Sequence, residues 1–156
     1  MQTKLDWQVK RFDQLSTDEL YDILKLRIDI FVVEQTCYYS DLDELDRDPQ
    51  TLHLFNYQQG QLTSYCRILA PNVVYENESA IGRVIVAPEF RGKQYGLLLM
   101  QQALAQTDSL WSNVPCHISA QQHLAKFYQS LGFEQISDMY LEDGIAHISM
   151  RRTANK

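Results

Sequence analysis

The chain has 156 residues, 45% of them hydrophobic and 11% aromatic, and a formal net charge of −6. That size and apolar content suit a single domain over residues 1–156, and the acidic balance counts against nucleic acid as a partner. No apolar run approaches the length of a membrane span, and the N-terminus "MQTKLDWQVKRF" has neither an apolar core nor a small-residue cleavage site, so a cytoplasmic protein with no membrane partner is expected.

Residues 5–12 alternate apolar and polar side chains, as a half-buried strand does. In "LSTDEL", Ser16 and Glu19 have the spacing of a capping box, with Leu15 and Leu20 placed as its hydrophobic staple. A helix is predicted from there towards Gln35, with Leu20, Ile23, Leu24, Arg27 and Phe31 giving its period. Residues 36–50 read as a loop holding Asp41, Asp43, Glu44, Asp46 and Asp48. A solvated acidic loop is the expectation, and a rim that attracts a cationic substrate is the functional alternative. The run lacks the glycine and terminal glutamate of a calcium loop, and no metal is expected.

"TLHLFNYQQGQLTSYCRIL" is two strand-like runs around Gln59-Gly60, hence a hairpin. After a polar break at "NVVYENE", the β-branched run "AIGRVIVA" predicts a strand ended by Pro88, and "GLLLMQQAL" begins a helix. Residues 115–120 form a short strand, "QQHLAKFYQSL" a helix stopped by Gly132, and "FEQISDMY" and "IAHISMR" two strands around "EDG". The order β-α-β-β-β-α-β-α-β-β predicts a mostly antiparallel sheet with one parallel step in the middle.

The three cysteines, Cys37, Cys66 and Cys116, are scattered and form no Cys-x-x-Cys pair, which argues against a zinc or redox motif. Cys66 and Cys116 lie in strand-like runs, where cysteine acts as a small hydrophobe. Cys37 falls in a loop, where a thiol is open to reaction, although nothing near it argues for that.

The segment "FRGKQYGLLLMQQAL" (90–104) puts two glycines and two basic residues at a helix start. The first N–H groups of a helix have no intrahelical partner and sit at the positive end of the macrodipole, so phosphate oxygens fit there. The segment is neither a Walker loop nor G-x-G-x-x-G. The pattern alone leaves two readings, an anion site or a capped core helix with an exposed basic turn.

Here the residues carry a resemblance. "GRVIVAPEFRGKQYG" resembles the acyl-CoA motif of GNAT-type N-acetyltransferases, whose loop reads Arg/Gln-x-x-Gly-x-Gly/Ala, and "HLAKFYQSLGF" resembles that superfamily's closing helix and strand. With "FVVEQ", "RIL" and "EDGI-HI-M", these motifs run from residue 31 to 150 and are together similar to the ElaA-type branch. One position departs: the loop's first glycine falls at Gln94, which lacks glycine's freedom at positive φ.

The resemblance implies an α/β (α+β) fold with splayed parallel central strands and flanking helices. It implies acetyl-CoA as co-substrate, between the strands at 81–87 and 115–120. The pantetheine arm would lie along Val84, Ile85 and Val86, and the pyrophosphate on backbone N–H groups of Gly92, Lys93, Gln94, Tyr95, Gly96 and Leu97, beside Arg91. The implied activity is acetyl transfer to an amine of a small molecule or peptide by direct attack on the thioester. A homodimer is the implied assembly.

Tyr128 matches the family tyrosine and is the candidate general acid, since a phenol with a pKa of about 10 keeps its proton at neutral pH. Its alternative is a core tyrosine with a bonded hydroxyl. Glu34 is the candidate base. Its alternative is a helix-end carboxylate bonded to backbone or to Arg67 or Arg83. His53, His117, His123 and His147 show no distinctive spacing. Phe31, Tyr38, Tyr39 and Tyr140 are candidates to line an acceptor pocket. Arg27, Arg67 and Arg83 are candidates for an acceptor carboxylate or for internal ion pairs. Two further readings are a noncatalytic acyl-CoA-binding module on the same fold and a synthase of the acyl-homoserine-lactone type.

Overall fold

In the computed structural model, which describes residues 5–153, the capping box forms as the sequence predicts. Ser16 Oγ accepts from the Glu19 N–H at 3.0 Å, and Glu19 Oε1 accepts from the Ser16 N–H at 2.9 Å. The box satisfies two donors that the helix leaves open. Helix α1 (Thr17–Arg27) follows strand β1 (Trp7–Lys10). It does not continue as an α-helix to Gln35: Ile28–Glu34 is π-helical, with Gln35 N–H donating to Ile30 O and Cys37 N–H to Val32 O. The wider turn re-aims Phe31 and Gln35 towards the cleft described below. The N-terminal stretch expected to carry no leader begins in residues 1–4, which with 154–156 lie outside the described residues, as do the ends of the 1–156 domain.

Strands β2 (Leu52–Gln58) and β3 (Gln61–Leu69) form the expected hairpin. Gln59 (φ 49°) and Gly60 (φ 78°) both adopt the left-handed conformation that a two-residue turn needs. Strand β4 (Ser79–Val86) leads to helix α2 (Tyr95–Leu110) and strand β5 (Cys116–Gln121). Next come the short helix α3 (Ala125–Gln129) and strands β6 (Glu134–Gln135), β7 (Tyr140–Glu142) and β8 (Ile145–Arg152). Helix α3 is shorter than its sequence run because 122–124 form a 3₁₀ turn. It ends as a Schellman motif at Gly132 (φ 98°), with Phe133 N–H donating to Tyr128 O.

The strand order is β1-β2-β3-β4-β5-β8-β6, with β7 also on β8, and among the described residues only the β4–β5 pair is parallel. The run "FEQISDMY" is two strands rather than one. Gln135 pairs with Met150 and Tyr140 with His147, so five steps on one side face three on the other. The excess loops out at 136–139, where Ser137 Oγ accepts from the Ser149 N–H. The sheet is buried on both faces. Leu54, Cys66, Ile68 and Ile118 pack with Leu99 and Met100 of α2, while Phe55, Tyr65 and Ile85 pack with Ile23 of α1 and Ile30.

Candidate active site

Ile81 and Ile85 are four residues apart and would share a face in a regular strand. They pack into opposite cores, so the strand carries an extra residue between them. The register confirms it: Arg67 pairs with Gly82 and Tyr65 with Ile85, two steps against three. The extra residue is a β-bulge, with Arg83 at φ 53°. Beside the bulge, β4 leaves β5. Their parallel pairing is confined to Ser79↔Cys116 and Ala80↔His117. Past that point the strands separate into a cleft of about 300 Å³, walled by Gly82, Arg83 and Val84 on one side and Ile118, Ser119, Ala120 and Gln121 on the other. Phe31, Gln35, Cys37 and Tyr39 also line it.

Tyr128 lines this cleft and is 6% exposed. Its hydroxyl has no hydrogen-bond partner among the described residues. Burial, with a smaller contribution from nearby Cys66, pushes the phenol up to about 12. It therefore stays protonated at neutral pH, with a donor to spare.

The second cavity, about 390 Å³, opens at the start of α2 and is lined by Val86, Arg91, Gly92, Gln94, Gly96 and Phe127 among others. The first backward bond of the helix runs from Leu98 N–H to Gln94 O at 3.0 Å, which leaves the N–H groups of Tyr95, Gly96 and Leu97 without helical acceptors. Gln94 takes the left-handed conformation (φ 65°) despite its side chain. A Cβ at Gly96 would stand 3.7 Å from Val86 Cγ2, an ordinary contact. Packing within the chain does not require glycine there, and the smaller residue keeps the cavity open. Lys93 Nζ lies 5.8 Å from the Phe90 ring centroid.

Glu34 lies outside the lining of the first cleft. Its carboxylate is held by Arg91 at 2.6 and 2.8 Å, not by Arg67 or Arg83. Arg91's hydrogen bond holds the Glu34 carboxyl below the usual carboxylate range, which weakens it as a base.

The acidic run 36–50 is solvated only in part: Glu44 is exposed and pairs with Arg47, while Asp41, Asp43 and Asp46 turn inward and form no substrate rim. Asp41 and Asp46 are buried. Arg27, fully buried, donates to Asp41 Oδ2 at 2.8 Å and Asp46 Oδ1 at 2.7 Å. Arg67 donates to Asp43 at 2.6 Å and Asp46 at 3.1 Å. Arg83 Nε stands 2.9 Å from Asp41 Oδ1, close enough for an ion pair but out of line for a hydrogen bond. The three arginines thus neutralise Asp41, Asp43 and Asp46 and pin this part of the loop over the cleft, instead of binding an acceptor carboxylate or helix-end groups. Cys37 is buried, its thiol donating to Asp143 O at 3.2 Å, so it is not an open loop thiol.

Of the histidines, His53 is a satisfied core residue, bonded to Tyr65 Oη and Asp46 O. Burial holds its ring pKa down. His117 is bonded to Glu78 at 2.8 Å and stacked on Tyr75. His123 is exposed. Only His147 lines the cleft. Of the aromatic candidates, Phe31 and Tyr39 line it, Tyr38 is 89% exposed, and Tyr140 bonds Ser119 through its hydroxyl. Sequence reasoning missed Ser119 and Glu142, which face each other only once β5 and β7 lie on either side of β8. Its one available signal was the "EDG" turn, which sets Glu142 at a strand end.

The family described as acetyltransferase (GNAT) domain matches residues 28–154. Protein ElaA of Escherichia coli (strain K12) is 40% identical over 148 residues, which cover 95% of this chain and 96% of that protein. The crystal structure of an acyl-CoA N-acyltransferase from Pseudomonas aeruginosa superposes with a TM-score of 0.91 at 43% identity, over 96% of this chain and 100% of that one. The crystal structure of Escherichia coli ElaA superposes with a TM-score of 0.89 at 39% identity, over 96% and 99%.

Proposed function

The chain belongs to the GNAT acetyltransferase family, in its ElaA-like branch, and is an acyltransferase; from that premise we propose that it transfers the acetyl group of acetyl-CoA to an amine of a small molecule or peptide. The observation that carries this reading is the separation of β4 from β5 into a cleft whose lining includes the unpartnered hydroxyl of Tyr128. An acyl-CoA between the strands would bring its thioester to that cleft and its diphosphate to the mouth of α2. The second cavity, the free N–H groups of residues 95–97 and the small Gly96 suit a diphosphate. Arg91 and Lys93 add positive charge beside it.

The residues divide the chemistry between them. Val84 lines the first cleft and Val86 the second cavity, so the backbone of Val84, Ile85 and Val86 between them would guide the pantetheine arm, with a β4 N–H available to the developing oxyanion. Tyr128 donates its proton to the departing sulfur. Glu34, placed on Arg91, steadies the loop at the helix mouth and leaves the role of base to another group. The reading treats the whole chain as one catalytic domain.

A spectrophotometric thiol-release assay with acetyl-CoA and a panel of amines tests the proposal. The expected result is amine-dependent release of one thiol per amide formed. Tight CoA binding with no release for any amine would overturn it and leave a binding module.

A further inference from the structure

Glu142 (end of β7), Ser119 (β5) and His147 (β8) meet in the cleft that Tyr128 lines. Both contacts of Glu142 fall on one oxygen. Oε2 accepts from Ser119 Oγ at 3.3 Å and lies 3.2 Å from His147 Nε2. Oε1 has no partner among the described residues. His147 is 7% exposed, and its Nδ1 stands 2.8 Å from Ile145 O. A carbonyl only accepts, so Nδ1 carries a hydrogen. Ser119 is fixed in turn by the Tyr140 hydroxyl.

The charge of the cleft points the same way. Its one arginine, Arg83, is already neutralised by Asp41 at 2.9 Å and Asp43 at 3.6 Å. The other charged lining groups are Glu142 and Asp143, and neither has a lysine or arginine partner among the described residues. Glu142 faces only His147 and the Asp143 carboxylate faces no charged partner among the described residues, a balance that favours a cation. The hydroxyl of Tyr128, a residue 6% exposed and without a hydrogen-bond partner among the described residues, lines the same cleft and independently marks it as a place for a ligand.

We infer that Glu142 is the catalytic residue on the acceptor side: its free Oε1 receives the ammonium of a cationic primary amine and takes one proton from it. The assignment rests on the amine-acetylation reading above. His147 and Ser119 are positioning residues that hold Oε2 and leave Oε1 turned to the acceptor. In the step itself, Glu142 gains one proton from the ammonium. The freed nitrogen lone pair forms the C–N bond at the thioester carbonyl carbon, and the C–S bond breaks with its electron pair on sulfur. Tyr128 protonates that sulfur, and the second proton shed by nitrogen restores the phenol. The products are an amide and a free thiol, and Glu142 releases its proton to water.

The test compares two acceptors of similar shape, benzylamine, a cation at neutral pH, and O-benzylhydroxylamine, which is uncharged there. Glu142→Gln should lower kcat/KM for benzylamine by about 10²–10⁴-fold, the usual worth of a positioned base, and by less than about tenfold for the uncharged acceptor. Calorimetry of benzylamine on the CoA-bound protein should show weaker binding in Glu142→Gln and near-normal binding in Glu142→Asp, which keeps the charge. CoA affinity and melting temperature should stay at the wild-type value in both variants. Equal losses for the two acceptors, or wild-type turnover of benzylamine by Glu142→Gln, would overturn the assignment. Failure of the wild-type protein to release thiol with any amine would bring down the amine-acetylation reading itself, an outcome distinct from these.

Discussion

Glu34 holds Arg91 by both carboxylate oxygens, at 2.6 and 2.8 Å, and so ties the π-helical turn after α1 to the loop before α2. Each side chain is a little over two-fifths exposed, and Arg91 also donates to Val86 O at 3.2 Å. A guanidinium already paired with a carboxylate is a weaker partner for a diphosphate than a free one.

The pairing predicts opposite effects of two substitutions. Arg91→Ala should weaken CoA by about two- to fivefold, the scale of an exposed, screened contact, and leave pantetheine unchanged, because pantetheine has no diphosphate. Glu34→Gln should tighten CoA and preserve most of the turnover. Calorimetry with both ligands and steady-state kinetics decide the matter. A Glu34→Gln enzyme that binds CoA normally and has lost its turnover would return Glu34 to the role of base.

Gln94 holds φ 65° at the position where the family loop has glycine. A non-glycine residue pays roughly 1 kcal/mol for that conformation. Gln94→Gly should therefore raise the melting temperature by about 2–4 °C and keep or improve CoA affinity. A large loss of affinity, measured at one salt concentration, would show that the glutamine side chain contacts the cofactor.

The buried ion-pair cluster predicts acid sensitivity. Burial alone raises the carboxyls of Asp43 and Asp46, but hydrogen bonds and charge from Arg67, and for Asp46 from Arg27, outweigh it and hold both below the usual range. A carboxyl depressed in the folded state adds stability above its unfolded pKa, about 3.9, and loses it as pH falls through the folded value. Stability should therefore fall below about pH 4. Asp46→Asn should cost about 3–5 kcal/mol at neutral pH, since it leaves Arg27 and Arg67 short of a buried partner. It should also flatten the acid limb in denaturant melts across pH. An unchanged acid limb in Asp46→Asn would remove that residue from the account.

Local chemistry made much of the fold legible. The Ser16–Glu19 box, the Gln59-Gly60 turn and the Gly132 cap each act within a few residues, and each appears where the sequence predicts it. The parallel step followed from element order. Residues 28–34 continue a helical period, so nothing local distinguishes a π turn from an α turn. The inward pairing of Asp41, Asp43 and Asp46 depends on arginines 14 to 42 positions away, and an acidic run looks the same solvated or buried. Tyr128 was legible through a motif. Glu142 was not, because its partner Ser119 lies 23 positions back and meets it only across the finished sheet.

Acyl transfer in the cleft between β4 and β5 needs a proton donor to sulfur, and the proposed donor is Tyr128. Replacing Tyr128 with phenylalanine keeps the ring and removes only the hydroxyl. Since that hydroxyl has no partner among the described residues, the melting temperature and acetyl-CoA affinity should change little. Turnover at saturating substrates should fall by about 10²–10⁴-fold. Near-normal turnover by Tyr128→Phe, with chemistry shown to be rate-limiting, would contradict the account.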